Sequence, residues 1–277
     1  MRVLVHLSDL HFGRLDEAVL PALRAAVVAA APNLVAISGD FTQRARRSEF
    51  EAARAFIDTL PTPRLVVPGN HDVPLWNVAN RFLMPLARYR RFIARDLEPE
   101  YVDEEMVVAG VNTARSWALG EGRINFQQVD RIVERLGLAP RSAIRVVVTH
   151  HPFDLPPGVR ERRLLGRAYP AMAKLARANA DLFLSGHLHR SHISSSAVRY
   201  QIEGHSALIV QAGTLSTRSR GELPSFNVIR VHRPDIAVHL FLWDPHARAF
   251  IEAAAEHYRH TDTGWMLLER DESLDAG

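Results

Sequence analysis

The 277-residue chain has no cysteine, a single lysine (Lys174) and no apolar run long enough to cross a membrane as a helix. Without cysteine, disulfides, thiolate zinc sites, iron–sulfur clusters and a cysteine nucleophile are excluded, so any metal must be held by nitrogen and oxygen. With one lysine, arginine carries nearly all the positive charge. The balance of 34 basic against 31 acidic residues is only +3, with a pI near 9.7. Arginine grips phosphate bidentately and lysine does not, although GC-rich coding is the plainer account of the bias. A mildly basic chain suits an anionic substrate and leaves a nucleic-acid partner undecided. The opening Met1–Asp9 has neither the apolar core nor the cleavage site of a signal peptide. Cytoplasmic location is therefore the expectation.

Hydrophobic residues make up 47% of the chain, enough for a full core. Apolar runs of strand length recur at Val3–Leu7, Leu34–Ser38, Arg64–Val67, Met106–Val111, Ile144–Thr149 and Asp181–Ser185. Between the early runs, Asp16–Ala30 and Arg47–Leu60 carry apolar positions three and four apart, the spacing of a helix face. Strands alternating with helices predict an α/β fold (α+β in some schemes). After Ser206 the pattern becomes Ala207–Gln211, Phe226–His232 and Ile236–Trp243, read as antiparallel strands completing a second sheet. Residues 251–260 read as a short helix or tail extension. One domain over residues 1–270 and a disordered tail over 271–277 are expected, since no repeat or linker-like stretch interrupts the chain.

Five polar motifs punctuate this frame: Asp9-Leu10-His11, Gly39-Asp40, Gly69-Asn70-His71-Asp72, His150-His151 and Gly186-His187-Leu188-His189. Most follow an apolar run directly, which places them at the carboxyl ends of strands, where open α/β sheets build their sites. Asp9 and His11, two apart on an extended chain, point to one side. Asp40 has two carboxylate oxygens and can bridge two cations. Asn70 offers a neutral carbonyl oxygen. His71 would point away from those ligands and stand near a substrate, with Asp72 accepting its other ring proton and fixing the tautomer. His187 and His189 can serve two different ions; His151, beside His150, points the other way. Each motif alone is matched by an ordinary turn, but the complete ordered set is not. Two cations side by side are a means of generating hydroxide at neutral pH and aiming it at phosphorus.

In their order these motifs resemble the calcineurin-like metallophosphoesterases, over about two thirds of the chain. Ser8-Asp9-Leu10-His11-Phe12-Gly13 is similar to the branch containing class III cyclic-nucleotide phosphodiesterases. Gln43, and Val111-Asn112-Thr113-Ala114-Arg115-Ser116, depart from that branch without touching the expected ligands. The resemblance implies a four-layer sandwich, two mixed β-sheets flanked by helices. It implies that Asp9, His11, Asp40 and His189 hold one metal and that Asp40, Asn70, His150 and His187 hold the other, with His71 as proton donor. The metals expected are Mn, then Fe, then Zn. The activity implied is phosphodiester hydrolysis, on 3',5'-cyclic nucleotides or other small diesters. Alternatives are a phospholipid or glycerophosphodiester hydrolase or a DNA nuclease of the same superfamily. Outside enzymes, the alternative is a catalytically silent protein-binding scaffold.

Substrate-binding candidates are Asn112, Arg115, Arg218 and Arg220, for which solvent-facing loop positions are the plainer reading. Arg160–Arg167 is a basic loop that could cap an anionic ligand. Leu75–Leu97 mixes apolar residues with Arg81, Arg88, Arg90, Arg91 and Arg95. Such a segment packs on a sheet, or meets an anionic membrane surface or a second subunit of a homodimer.

Overall fold

The computed structural model describes residues 1–75, 77–118, 120–140, 142–217 and 221–272. Its elements run β1 (Arg2–Leu7), α1 (Val19–Ala29), β2 (Leu34–Ile37), α2 (Arg47–Ile57), β3 (Arg64–Val66), α3 (Val78–Leu83), α4 (Ala87–Phe92), β4 (Glu100–Val102) and β5 (Met106–Val111). They continue through α5 (Phe126–Gly137), β6 (Ile144–Thr149), α6 (Ala168–Arg177), β7 (Leu182–Ser185), β8 (His192–Ser195), α7 (Ser196–Tyr200) and β9 (Leu208–Gln211). Four long strands close the chain: β10 (Ser225–His232), β11 (Asp235–Asp244), β12 (Ala249–Thr261) and β13 (Gly264–Glu272). Single 3-10 turns lie at Asn70–Asp72 and Glu161–Arg163.

These strands form a seven-stranded sheet, ordered β13-β12-β11-β10-β1-β2-β3, and a six-stranded sheet, ordered β4-β5-β6-β7-β9-β8. Both are mixed: β1, β2 and β3 run parallel, as do β5, β6, β7 and β9, with antiparallel strands outside them. Four layers follow from how each strand divides its side chains. Val3, Val5 and Leu7 of β1 join Leu23 and Val27 of α1 and Phe50 of α2 in one outer core. Leu4 turns inward to meet Val146, Leu184 and Val210 of the other sheet. On the far side, Val147, Phe183 and Ile209 pack under Ile132 and Leu136 of α5 and Met172 of α6. A strand buried on both faces reads as a continuous apolar run, which is why these were conspicuous in sequence.

Burying a Leu or Val side chain contributes about 1.5–3 kcal/mol. That term holds α1, whose N-terminus has no side-chain cap. In α5 the start is also fixed locally: Asn125 Oδ1 accepts from Gln128 N–H, and Gln128 Oε1 accepts from Asn125 N–H.

Four expectations are corrected. Leu208–Gln211 does not join the late antiparallel strands; it pairs in parallel with β7 in the six-stranded sheet, while β10 pairs with β1 and extends the first sheet. Residues 251–260 are strand, not helix. The run Glu252-Ala253-Ala254-Ala255-Glu256 has helix-forming composition, yet paired strands on both sides override that propensity. Asp271 and Glu272, placed in the tail, complete β13; residues 273–277 lie outside the described residues. Leu75–Leu97 divides: Leu86, Tyr89 and Ile93 are buried on the first sheet's helical layer, whereas Leu75, Val78, Phe82, Leu83 and Met84 stay exposed. Among the described residues no helix is long and apolar enough to cross a membrane.

Candidate metal centre

The carboxyl ends of the parallel strands from both sheets converge. Asp9 N–H donates to Gly39 O, Gly186 N–H donates to His150 O, and His150 Nδ1–H donates to Ser38 O at 2.7 Å, which ties the ends of β2 and β6 together. The chain turns sharply at each strand end. Asp9, His11, Asp40, His187 and His189 all adopt positive φ, between 47° and 70°. Asp and His tolerate that region better than most residues, and its concentration here marks a constrained site. Two glycines permit the close approach. A Cβ on Gly69 would lie 2.1 Å from Asp40 Oδ1, and one on Gly186 would lie 1.8 Å from Ser8 Oγ.

Each carboxylate has one anchored oxygen and one aimed inward. Asp9 Oδ2 accepts from Ser8 Oγ–H at 2.7 Å and from His187 N–H at 2.9 Å. Asp9 Oδ1 is fully buried without a hydrogen-bond partner, facing His189 Nε2 at 3.2 Å and His11 Nε2 at 3.4 Å. Asp40 Oδ1 accepts from His71 N–H at 2.8 Å, while its Oδ2 lies 3.7 Å from His11 Nε2 and 3.3 Å from His150 Nε2. On the far side of Asp40, Asn70 Oδ1 is 3.1 Å from His150 Nε2 and 3.0 Å from His187 Nδ1. Because His150 spends its Nδ1 proton on Ser38 O, Nε2 is the ring nitrogen that faces Asp40 and Asn70.

All seven expected ligands are thus gathered into two groups that share Asp40. Donor atoms 3.0 to 3.7 Å apart have the spacing of neighbouring ligands on one ion, given metal–ligand bonds of about 2.0–2.2 Å. The electrostatics agree. Burial alone would raise Asp9 and Asp40, yet the imidazoles of His189, His11 and His150 hold the first, and those of His150, His71 and His11 the second, below the usual carboxylate range. Burial works against charging His150, but the Asp40 and Asp9 carboxylates push it up to about 9. Burial and the neighbouring His150 push His187 down to about 3, and burial also lowers His11. Two ionised, buried carboxylates beside His11 and His187, which burial keeps from charging, are costly unless cations complete the site. The His and Asp groups are therefore able to hold metal ions.

Two expectations about the surroundings change. Asp72 does not orient His71: the His71 Nδ1–H donates to Gln43 O at 2.8 Å. The buried Asp72 carboxylate instead accepts from Gly69 N–H (2.9 Å), Thr42 N–H (3.0 Å), Thr42 Oγ1–H (3.1 Å) and Phe41 N–H (3.3 Å). It clamps the Asp40 loop to the Asn70 turn. Burial and the Asp40 charge push it up to about 7 against those bonds. Asn112 and Arg115 are likewise not among the cleft's lining residues. Asn112 Oδ1 caps its own turn at Ala114 N–H, and Arg115 donates to the carbonyls of Asn112 and Ala114 and to Gln128 Oε1. Arg218 and Arg220 lie outside the described residues.

The centre opens into a cleft of about 450 Å³, with Gln43, Arg44, His71, Arg81 and Arg163 on its walls. Arg163, from the basic loop noted in sequence, stands 3.4 Å from His187 Nε2. Gln43 and Arg44 reach the cleft by following Asp40 closely in sequence, whereas nothing local in sequence carries Arg81 there. His151 lies closer than expected, its ring 4.6 Å from that of His187, with Nδ1 at 2.8 Å from Thr113 Oγ1 and a buried, unpartnered Nε2.

Residues 2–191 match the family model described as calcineurin-like phosphoesterase. A probable cyclic nucleotide phosphodiesterase from Synechococcus sp. is 26% identical over 165 residues, which span 58% of this chain and 60% of that protein. The chain therefore matches about three fifths of that relative's length. Among solved structures, PhoD aligns with a TM-score of 0.74 at 11% identity, covering 100% of this chain and 73% of PhoD. A dimetal phosphatase from Danio rerio aligns with a TM-score of 0.62 at 14% identity, covering 86% of this chain and 95% of that one. At such identities these two structures speak for the fold.

Proposed function

The chain belongs to the calcineurin-like phosphoesterase family, and from that premise we propose that it is a two-metal phosphodiesterase acting on small anionic diesters, with 3',5'-cyclic nucleotides the first substrates to test. The observation that carries the reading is the position of Asp40, whose Oδ2 stands between the His11 and His150 nitrogens and so belongs to both ligand groups. Asp9, His11, Asp40 and His189 would hold one ion; Asp40, Asn70, His150 and His187 would hold the other. Histidine-rich sites without thiolate accept Mn, Fe or Zn, with availability deciding as much as affinity, and Mn is the first ion to test, then Fe, then Zn. Two such cations supply the Lewis acidity that ionises water near neutral pH and offsets charge on a phosphoryl group.

The chain's own residues do the rest. Arg163 and Arg44 bind the anionic substrate from the cleft wall, and a guanidinium holds two phosphoryl oxygens at once. His71 holds its Nδ1 proton on Gln43 O, which leaves Nε2 as the ring nitrogen that would carry a second proton and pass it to the departing alkoxide. Asp72 fixes the spacing between the Asp40 loop and the His71 turn. The name of the Synechococcus relative supports a cyclic diester, and a cleft of about 450 Å³ accommodates a nucleotide-sized ligand.

The test is turnover by Mn-reconstituted protein on bis-p-nitrophenyl phosphate, p-nitrophenyl phosphate and a cyclic-nucleotide panel, alongside metal content. The reading expects about two metals per chain, activity lost to chelation and a preference for diesters. Protein that takes up no metal, or that prefers the monoester, overturns it.

A further inference from the structure

The surface at the lip of the cleft is turned inside out. Leu75, Val78, Phe82, Leu83 and Met84 are all exposed, Leu83 to 79%. The residue of α3 that packs inward is its arginine: the Arg81 guanidinium is buried, donating to Pro74 O at 3.0 Å and Ala118 O at 2.9 Å. Those two bonds fasten α3 to the cleft, since Leu75, Arg81 and Ala118 all line it. Next to Ala118, which Arg81 binds, Trp117 is 60% exposed. A contiguous run of exposed apolar side chains marks an interaction surface, where single ones do not.

Charge says what kind. From Val73 to Arg95 the chain has no acidic residue, and Arg88, Arg90, Arg91 and Arg95 are exposed. A second copy facing this surface would set arginines against arginines. An anionic bilayer complements both halves of the pattern, taking apolar side chains into the acyl boundary and arginines among its headgroups.

We propose that α3 and the Trp117 turn seat the protein on an anionic phospholipid bilayer and so present the cleft to headgroup phosphodiesters. This rests on the phosphodiesterase reading for its chemistry. Hydrolysis there breaks one P–O ester bond; water gives its oxygen to phosphorus and a proton to the departing alcohol, leaving a phosphomonoester.

The test uses the full chain, sedimented with vesicles of phosphatidylglycerol in phosphatidylcholine and with phosphatidylcholine alone. Product release from the phosphatidylglycerol vesicles and turnover of soluble bis-p-nitrophenyl phosphate are followed in parallel. Phe82 and Leu83 are exposed and line no part of the cleft, so the double variant Phe82→Glu/Leu83→Glu should fold and keep its soluble turnover. Its vesicle binding and vesicle hydrolysis should both fall by about tenfold or more. Wild-type protein should prefer the anionic vesicles by a similar factor. Equal binding by wild type and variant, or no anionic preference, overturns the proposal. A wild-type dimer that the double variant dissolves overturns it too, giving the face to a second copy. Vesicle binding without hydrolysis of any diester supports the docking surface and sinks the phosphodiesterase reading instead.

Discussion

Replacing Gly186 with alanine adds one methyl group where the structure has no space. The new Cβ would stand 1.8 Å from Ser8 Oγ and 2.3 Å from Asp9 Oδ2. Reaching an ordinary contact of about 3.5 Å requires roughly 1.7 Å of movement. Neither group can move alone, because Ser8 Oγ–H donates to Asp9 Oδ2 and Asp9 Oδ2 also holds His187 N–H. The displacement therefore reaches Asp9 Oδ1, the oxygen that faces His11 and His189. Metal coordination tolerates about 0.2 Å in ligand distance, far less than this shift. Overpacking of this kind costs about 1–3 kcal/mol of stability, and disturbing the support of a ligand typically lowers metal affinity about 10–100-fold. Gly186→Ala should melt earlier, retain less Mn after dialysis and turn over bis-p-nitrophenyl phosphate more slowly, with added Mn recovering part of the rate. Gly137→Ala is the control, since a Cβ there meets nothing within 4 Å. A Gly186→Ala protein with wild-type metal content and turnover would refute the reasoning.

Three further outcomes are expected. His71→Ala should keep its metals but lose about 10²–10³-fold in turnover on alkoxide leaving groups, and far less on nitrophenolate; equal losses on both would remove the proton-donor role. Arg163→Ala should raise KM by about tenfold with a smaller change in kcat, as the loss of a charged phosphate contact would; metal loss instead would show that Arg163 serves to support His187. Asp103→Asn probes stability against pH. Burial opposes ionising Asp103, but Tyr101 O–H, the Glu105 and Met106 N–H groups and Arg2 hold its carboxyl below the usual range. A folded-state pKa below the unfolded value of about 3.9 stabilises the fold at higher pH and ceases to as pH falls through the folded value. Asp103→Asn should therefore be less stable by about 1–3 kcal/mol at neutral pH, and the gap should close in acid; a gap that is constant or widens toward acid would contradict the sign.

The positions of the expected ligands were legible because each sits where an apolar run ends in a polar residue, a local signal that survives in one dimension. Asp40 and His187 follow strands buried on both faces, and such strands are hard to mistake. What one dimension hides is set by partners distant along the chain. Asp72 stands next to His71 in sequence, but its oxygens are claimed by Gly69 and by Phe41 and Thr42 from across the site. Arg81 carried no sign that its guanidinium would be buried against Ala118. Ala253–Ala255 has helical composition and becomes strand only because β11 and β13 flank it. Leu208–Gln211 looks like any short strand, and only pairing with β7 assigns it to a sheet.

The left-handed backbone at Asp9, His11, Asp40, His187 and His189 sets up a contest between durability and chemistry. Each such residue carries a cost that glycine would not, of order 1 kcal/mol. Mutational drift that abandoned the metals would find the fold more robust at these very turns, so an inactive descendant need not be a fragile one. The strands beneath these turns must therefore supply the stability that the five conformations cost.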